Sequence, residues 1–493
     1  MSSDQKAPLR VVGLLMQIPG MMALASLPIC LFFTEYYAIL PFLLTAAVSV
    51  GMGQLLFWRF RQEKAIRYRQ TLLVVALSWA VIFAIGTLPY WLIALSLDGD
   101  TAATISAFRD VWNALFESIS GFTSTGLSMA RDASQLPHCL QWWRSFTQWV
   151  GGIGLVVLTL SVLEPSSNVQ HLYSAETREE RLAPTLRETA QEIWKIYLLY
   201  TGASILLLAL AGMPPWAALN HGLAAIATGG FDITGSSFQT YPPGVQLAAV
   251  PIMIAGAISF AAHAQVLRRG QVAALWEDMR HRALWLLLVI GTLFLLLEQR
   301  WYAGQWLWID SLFQWTSALT TCGFAVVQEQ TWSPTAKAWM TTAMILGAVS
   351  GSTVGGLKLD RVVVLYQAVV WYLRLIYRES PEELRYELNG RALSEQEAHR
   401  QLKSAAVLAA LWLIALGVGT TLLFHTIDTR YSLIDALFEC ASALGTSGLS
   451  VGITGPDLFW LGKLTLMLLM WMGRLEIVAV LVLFSWLAQL LQR

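Results

Sequence analysis

Phe116-Glu-Ser-Ile-Ser-Gly-Phe-Thr-Ser-Thr-Gly-Leu127 is the stretch on which the fold turns. A short amphipathic segment runs into a hydroxyl-rich turn, stops on Gly126 and resumes with a bulky apolar residue. The ending Ser124-Thr125-Gly126-Leu127 returns as Thr228-Gly229-Gly230-Phe231, Thr321-Cys322-Gly323-Phe324 and Thr446-Ser447-Gly448-Leu449. Counting back from each terminal glycine aligns the four copies. Thirteen residues before it stand Asn113, Ala217, Asp310 and Asp435, types suited to a helix cap or first turn. Ten before stand Phe116, Asn220, Phe313 and Phe438, and nine before stand the polar Glu117, His221, Gln314 and Glu439. Six before stand the small Ser120, Ala224, Ser317 and Ser442, and two before stand the hydroxyls Ser124, Thr228, Thr321 and Thr446.

The surroundings are those of a membrane. The 493 residues are 56% hydrophobic and 13% charged, with mean hydropathy +0.55, against roughly 25% charged residues in soluble domains. A formal net charge of zero argues against a nucleic-acid surface. Ten apolar stretches approach the ~20 residues that a membrane helix needs: 11–33, 36–58, 71–96, 140–163, 190–212, 245–267, 283–299, 338–373 with an interruption, 403–424 and 458–490. Each short segment sits between two of them and is itself too short to cross. The repeating unit is therefore span, short re-entrant helix, glycine turn, span. Such backbone is tolerated at membrane depth only where it lines a water-filled cavity or is buried in protein. Helix packing through small residues explains Gly151-Gly152 and Gly417 but not glycines at matched offsets.

Four like turns in one chain point to one pore, whose backbone carbonyls replace the water around a cation. The negative ends of four re-entrant helices favour a cation there. The expected architecture is all-α and polytopic: two peripheral N-terminal spans (1–69), then repeats over 70–166, 167–270, 271–380 and 381–493. The first two spans carry no polar constellation and are assigned to scaffolding.

Lys and Arg set the orientation. Arg59, Arg61, Lys64, Arg67 and Arg69 follow the second span, and Arg178, Arg181 and Arg187 the fourth. Arg268, Arg269, Arg280 and Arg282 follow the sixth, and Arg374, Arg378, Arg385, Arg391, Arg400 and Lys403 the eighth. All four clusters share one side, so both termini are expected in the cytoplasm. The opposite side holds scattered Arg109, Arg131, Arg144, Arg300, Lys337, Arg430 and Lys463. The linkers near 164–190 and 378–402 alternate charge (Glu176, Arg178, Glu179, Glu180, Arg181; Glu382, Glu383, Arg385, Glu387) and read as solvated helical faces. The cysteines Cys30, Cys139, Cys322 and Cys440 show no metal spacing and read as small packing residues.

Two features break the apolar pattern. The eighth span is interrupted by Gly347, Gly351, Ser352, Thr353, Gly355 and Gly356, a poor helix at ~1 kcal/mol per glycine. It is either an intramembrane loop or a small-residue packing face. Lys358, Asp360 and Arg361 close it; they pair with one another or with the neighbouring repeat, or are ordinary charges at a helix end. Arg474 lies within the tenth span, followed by Glu476; a charge there costs at least ~2.5–3.5 kcal/mol and should face the pore or a partner. Asp232, after the second turn, is expected to concentrate cations at the mouth. Glu117 and Glu439 are expected to anchor the short helices, and His221 to be structural rather than a metal ligand.

These motifs, with Gly351-Ser-Thr-Val-Gly-Gly-Leu-Lys358 and Gly473-Arg-Leu-Glu-Ile477, resemble the Trk/Ktr/HKT superfamily of potassium transporters, in particular its TrkH/TrkG-type membrane subunits. The resemblance covers nearly the whole chain. It implies potassium uptake across a bacterial inner membrane, a homodimer of two separate pores, and a cytoplasmic TrkA-like partner with nucleotide-binding domains. It also implies that Ser124, Thr125, Gly126, Thr228, Gly229, Gly230, Thr321, Cys322, Gly323, Thr446, Ser447 and Gly448 form the ion filter. Gly347, Gly351, Ser352, Gly355, Gly356 and Lys358 would form an intramembrane gate, with Arg474 as an electrostatic barrier beneath the filter. A serine in place of the first filter glycine looks sodium-favouring in this superfamily. Four glycines therefore predict K⁺ preference, with Rb⁺ as surrogate. No organic cofactor and no catalytic residue are expected. The alternative is a proton- or sodium-coupled secondary transporter (a symporter), but repeats of one orientation suit a central pore better than inverted ones.

Overall fold

Four helices of 12 residues stand where the short segments were expected: Val111–Phe122, Pro215–Ile226, Trp308–Leu319 and Leu433–Leu444. At about 18 Å each, none crosses a bilayer core of roughly 30 Å. Their starts are set locally. Asp110 accepts the Trp112 N–H, Ser432 and Asp435 form a reciprocal capping box, and Pro215 opens the second helix where its missing N–H costs nothing. Asn113, Ala217, Asp310 and Asp435 all occupy the third helical position, in the first turn rather than at the cap itself.

The computed structural model describes residues 3–60, 68–97, 103–154, 186–377, 386–388 and 391–491. Outside them lie Arg61, Lys64, Arg67, Arg178, Arg181, Arg378, Glu176, Glu179, Glu180, Glu382, Glu383 and Arg385, and the second half of the expected fourth span. Each short helix lies between a long outer helix (Tyr68–Ser96, Leu186–Leu210, Met279–Tyr302, Glu395–Phe424) and an inner helix (His138–Ile153, Pro243–Ala257, Pro334–Leu346, Trp460–Leu475). Every inner helix packs on its own short helix and on that of the next repeat, and the fourth returns to the first. The repeats thus close into a circle.

Among the described residues, six helices are long and apolar enough to cross a membrane, or eight if two bent pairs count as spans. The expectation of one interrupted span falls short, because the second and fourth inner helices also break part-way. Pro243–Ala257 turns by 103° into Phe260–Arg269, where the Ser259 side chain caps the new helix by accepting the Ala262 N–H. Trp460–Leu475 turns by 118° into the last helix, because Glu476 and Ile477 adopt left-handed φ of 57° and 46°. Pro334–Leu346 gives way to the loop 347–358 before Leu359–Ile376.

Two further differences concern the edges of the fold. The described part of the 378–402 linker is not wholly helical. Tyr386–Leu388 pairs antiparallel with Arg391–Leu393, and Asn389-Gly390 between them is a strong two-residue hairpin signal. The connection between the N-terminal helices Ile18–Phe32 and Ile39–Arg59 carries a polar clasp. The Glu35 carboxylate accepts the N–H groups of His138 and Cys139, both at 2.8 Å. These are the first donors of an inner helix and have no partner within it, so the scaffold caps the first repeat.

Candidate functional site

All four short helices end alike. The residue two before the glycine is left-handed (Ser124 φ 53°, Thr228 49°, Thr321 47°, Thr446 50°), and so are Gly126, Gly230, Gly323 and Gly448 at 99°, 76°, 85° and 90°. A left-handed L-residue costs roughly 1–2 kcal/mol, so four coincident cases mark a geometry that the surroundings enforce. The intervening N–H turns back to a helix carbonyl: Thr125 to Ser120, Gly229 to Ala224, Cys322 to Ser317 and Ser447 to Ser442, at 2.9, 2.9, 2.9 and 2.8 Å. This is a Schellman closure, which satisfies the helix end. In the first and fourth repeats the small residue six before the glycine also serves the turn. The Gly126 N–H donates to Ser120 Oγ at 3.0 Å and the Gly448 N–H to Ser442 Oγ at 2.9 Å.

The turns meet head to tail. A Cβ placed on Gly126 would stand 2.3 Å from the carbonyl oxygen of Gly229. One on Gly230 would stand 2.5 Å from Cys322 O, one on Gly323 2.0 Å from Ser447 O, and one on Gly448 2.2 Å from Thr125 O. Each glycine faces the equivalent carbonyl of the next repeat, and the fourth faces the first. Glycine is required here twice over, by positive φ and by backbone approach. The twelve turn residues singled out in the sequence are thereby brought into one ring.

The position nine before the glycine holds the chain that leaves the turn. Glu117 accepts the Met129 N–H at 2.8 Å, Gln314 the Val326 N–H at 3.3 Å and Glu439 the Val451 N–H at 3.1 Å. His221 differs. Its Nδ1 lies 2.9 Å from Ala217 O, among the rings of Phe238, Tyr241 and Phe324. Glu117 also pairs with Arg144 at 2.7 Å, both side chains being almost wholly buried. Arg144 then reaches Asp232 O at 2.5 Å and lies 4.1 Å above the Phe231 ring. It ties the first short helix to the exit of the second turn, a role hidden while it read as a scattered charge. The half-buried Asp232 carboxylate accepts the Ser237 N–H at 2.6 Å and the Thr234 hydroxyl at 3.2 Å, both through Oδ2, which fixes it in a local turn.

A second set of supports was missed in the sequence. The fourth residue of every inner helix is polar: Gln141, Gln246, Lys337 and Lys463. Three reach the start of the next short helix. Gln141 accepts from Trp216 Nε1 at 2.8 Å, Lys337 pairs with Asp435 at 2.7 Å and Lys463 lies 4.0 Å from Asp110. Gln246 stays in its own repeat, donating to Phe238 O and Tyr241 O.

The loop 347–358 lies against three turns. Thr353 Oγ1 accepts from Thr228 at 3.2 Å and stands 3.1 Å from Ile226 O and 3.0 Å from Gly256 O. The Gly355 N–H donates to Thr321 Oγ1 at 3.1 Å, and a Cβ on Gly355 would overlap Thr446 Oγ1 and Gly445 O. Gly351 O accepts the Phe260 N–H at 2.8 Å, and Ser352 Oγ donates to Val349 O at 2.5 Å. Gly347, Gly351, Gly356 and Lys358 have φ of 65°, 74°, 76° and 72°, and a Cβ on Gly356 would meet Gly347 Cα at 2.9 Å, so the loop doubles back on itself.

Arg474 joins the loop to the first repeat. Its guanidinium donates to Thr353 O at 3.3 Å, to Gly152 O at 2.8 Å and to Gly151 O. The last two carbonyls end the first inner helix, where the helix dipole favours a cation. Glu476 pairs with Arg361 at 2.7 Å and Lys358 at 3.8 Å. Asp360 pairs with Arg280 at 2.8 Å and accepts the Ser350 N–H at 2.7 Å. The charges at the end of the loop thus bind both the neighbouring repeat and their own.

Among the described residues no group of three or more His, Cys, Asp or Glu side chains is placed to hold a metal. The chain has relatives among known proteins. The chain is 30% identical over 97% of its length to the Trk system potassium uptake protein TrkH of Escherichia coli K12, covering 98% of it. It is equally 30% identical over 98% of its length to a cation transporter of Methanocaldococcus jannaschii, covering 96% of that protein. The crystal structure of the potassium transporter TrkH from Vibrio parahaemolyticus superposes with a TM-score of 0.82 at 26% identity, covering 97% of this chain and 98% of that one. The family model described as TrkH, cation transport protein, matches residues 40–490, and the chain accordingly belongs to that family, as a transporter rather than an enzyme.

Proposed function

We propose that this chain is the membrane subunit of a potassium uptake system in a bacterial inner membrane, with both termini in the cytoplasm. The ring of Thr125, Gly229, Cys322 and Ser447 carbonyls, with the residues flanking them, is its ion filter. The observation that carries this reading is the closed head-to-tail contact of four glycine turns with matched left-handed backbones. Main-chain oxygens at one level replace the hydration shell of a K⁺ ion, and four helix C-termini aimed at them add negative potential.

Gating is assigned to the loop of Gly347, Gly351, Ser352, Gly355, Gly356 and Lys358, with Arg474. Packed against the second, third and fourth turns and tied through Arg474 to the first repeat, the loop obstructs the path while it stays in place. A homodimer and a TrkA-like nucleotide-binding partner on the cytoplasmic face belong to the same proposal. The test is uptake of Rb⁺ against Na⁺ by purified protein in liposomes, with Gly126→Ser beside it. The unaltered protein should prefer Rb⁺ and the variant should discriminate less. Equal discrimination by both would remove that turn from the filter.

A further inference from the structure

The eleventh residue of the first inner helix is Gln148, fully buried. The eleventh residues of the other three inner helices are Met253, Met344 and Met470, all equally buried. One repeat therefore places an amide where the others place a thioether. That amide reaches across to the second turn. Its Nε2 donates to Gly229 O, and its Oε1 accepts the Phe231 N–H at 3.0 Å. The backbone carbonyl of Gln148 meanwhile accepts from Ser124 Oγ at 2.9 Å. One residue thus holds the second turn on both sides of Gly230 and braces the first.

The acceptor matters. Gly229 O is the ring oxygen that faces Gly126. Among the described residues, its counterparts Thr125 O, Cys322 O and Ser447 O accept no hydrogen bond. A carbonyl oxygen has two acceptor sites, so the Gln148 amide occupies one and leaves one for an ion. Three ring oxygens are held by backbone alone, and the fourth is held by a buried side chain as well.

We propose that Gln148 is a positioning residue that sets ion preference by restraining the Gly229 carbonyl, an inference that rests on the ring being the filter. Na⁺ is smaller than K⁺ and needs its oxygens closer. A carbonyl tied to a buried amide moves inward only by straining or losing that bond, and a lost buried partner leaves a desolvated donor behind. K⁺ is coordinated with the oxygen where it stands. Methionine at this position imposes no such restraint, which gives the ring one stiff member among four.

The test is Rb⁺ and Na⁺ flux in proteoliposomes for Gln148→Met, Gln148→Leu and Gly126→Ser, each with its melting temperature. Gln148→Met copies the other repeats. Gln148→Leu removes the donor to Gly229 at nearly unchanged size and without a titratable group, so it carries the test if the methionine variant fails to fold. The Rb⁺-to-Na⁺ flux ratio should fall about threefold to tenfold in both, the range one neutral hydrogen bond spans, chiefly through faster Na⁺ entry. A ratio unchanged in both glutamine variants, whether or not total flux and melting temperature fall, overturns the inference if Gly126→Ser lowers the ratio. A ratio unchanged in all three overturns the filter assignment itself, and this inference with it.

Discussion

Gly323→Ala is the sharpest perturbation of the ring. The new methyl would stand 2.0 Å from Ser447 O and 3.2 Å from Gly448 Cα, on a residue with φ of 85°. Carbon and oxygen settle no closer than about 3.3 Å, so the two strands must separate by about 1 Å or the third turn must leave its left-handed conformation. The backbone cost is ~1–2 kcal/mol and overpacking adds ~1–3 kcal/mol. Part of this relaxes into the surroundings. If about 1.4 kcal/mol remains as a displaced ring oxygen, Rb⁺ over Na⁺ discrimination falls about tenfold. The same substitution at Gly230 meets Cys322 O at 2.5 Å and demands less movement. The expected order of severity is Gly323, Gly448, Gly126, then Gly230. Isotope uptake into liposomes measures the ratio, and thermal unfolding in detergent separates misfolding from altered selection. Wild-type discrimination in a stable Gly323→Ala protein, or the reverse order across the four, would refute the reasoning.

Arg474→Ala removes the donors to Thr353 O, Gly151 O and Gly152 O; charged hydrogen bonds contribute ~1.5–3 kcal/mol, so Rb⁺ flux should rise about tenfold or more. Arg474→Lys should fall between, since an ammonium lacks the planar fork, and unchanged flux in folded Arg474→Ala would exclude the barrier. Glu117→Gln preserves an acceptor for the Met129 N–H but leaves buried Arg144 without its counter-charge. Arg144 keeps Asp232 O and the Phe231 ring, so the stability loss should sit near the low end of ~3–5 kcal/mol; an unaltered melting temperature would show that the pair contributes little.

What was legible from sequence was whatever keeps a fixed distance from the glycines. The hydroxyl two before and the polar residue nine before lie on one unbroken stretch of helix and turn, so counting from the glycine finds them. Beyond the turn that count fails, because the connections differ in length. Gln141, Gln246, Lys337 and Lys463 lie 15, 16, 14 and 15 residues after their glycines, and align only when counted from the starts of the inner helices. Gln148 was lost for the same reason. Arg144 looked like one of several scattered charges, since nothing local distinguishes a wholly buried arginine from a loop residue. The break after Arg474 was invisible because Glu476 is an ordinary helix former, left-handed here only in a setting where Arg361 and Lys358 bind its carboxylate.

The ring asks unequal things of its parts, and the four repeats differ accordingly. At the glycine a substitution costs most, since positive φ and an opposing carbonyl both crowd a Cβ, and all four copies keep it. Nine residues earlier the requirement is only an acceptor for a departing N–H; Glu117, Gln314 and Glu439 each meet it, and His221, in a repeat whose exit is held by Arg144 instead, does not. At the inner-helix support Gln141, Lys337 and Lys463 share the task, while Gln246 serves its own repeat. Tolerance thus follows what each position supplies: where only a backbone carbonyl is given to the ring, Thr125, Gly229, Cys322 and Ser447 are four different residue types. That pattern is what a site built from main chain requires: the backbone path is common to all repeats, and the side chains that hold it are free to diverge wherever a single hydrogen bond of the right reach will serve.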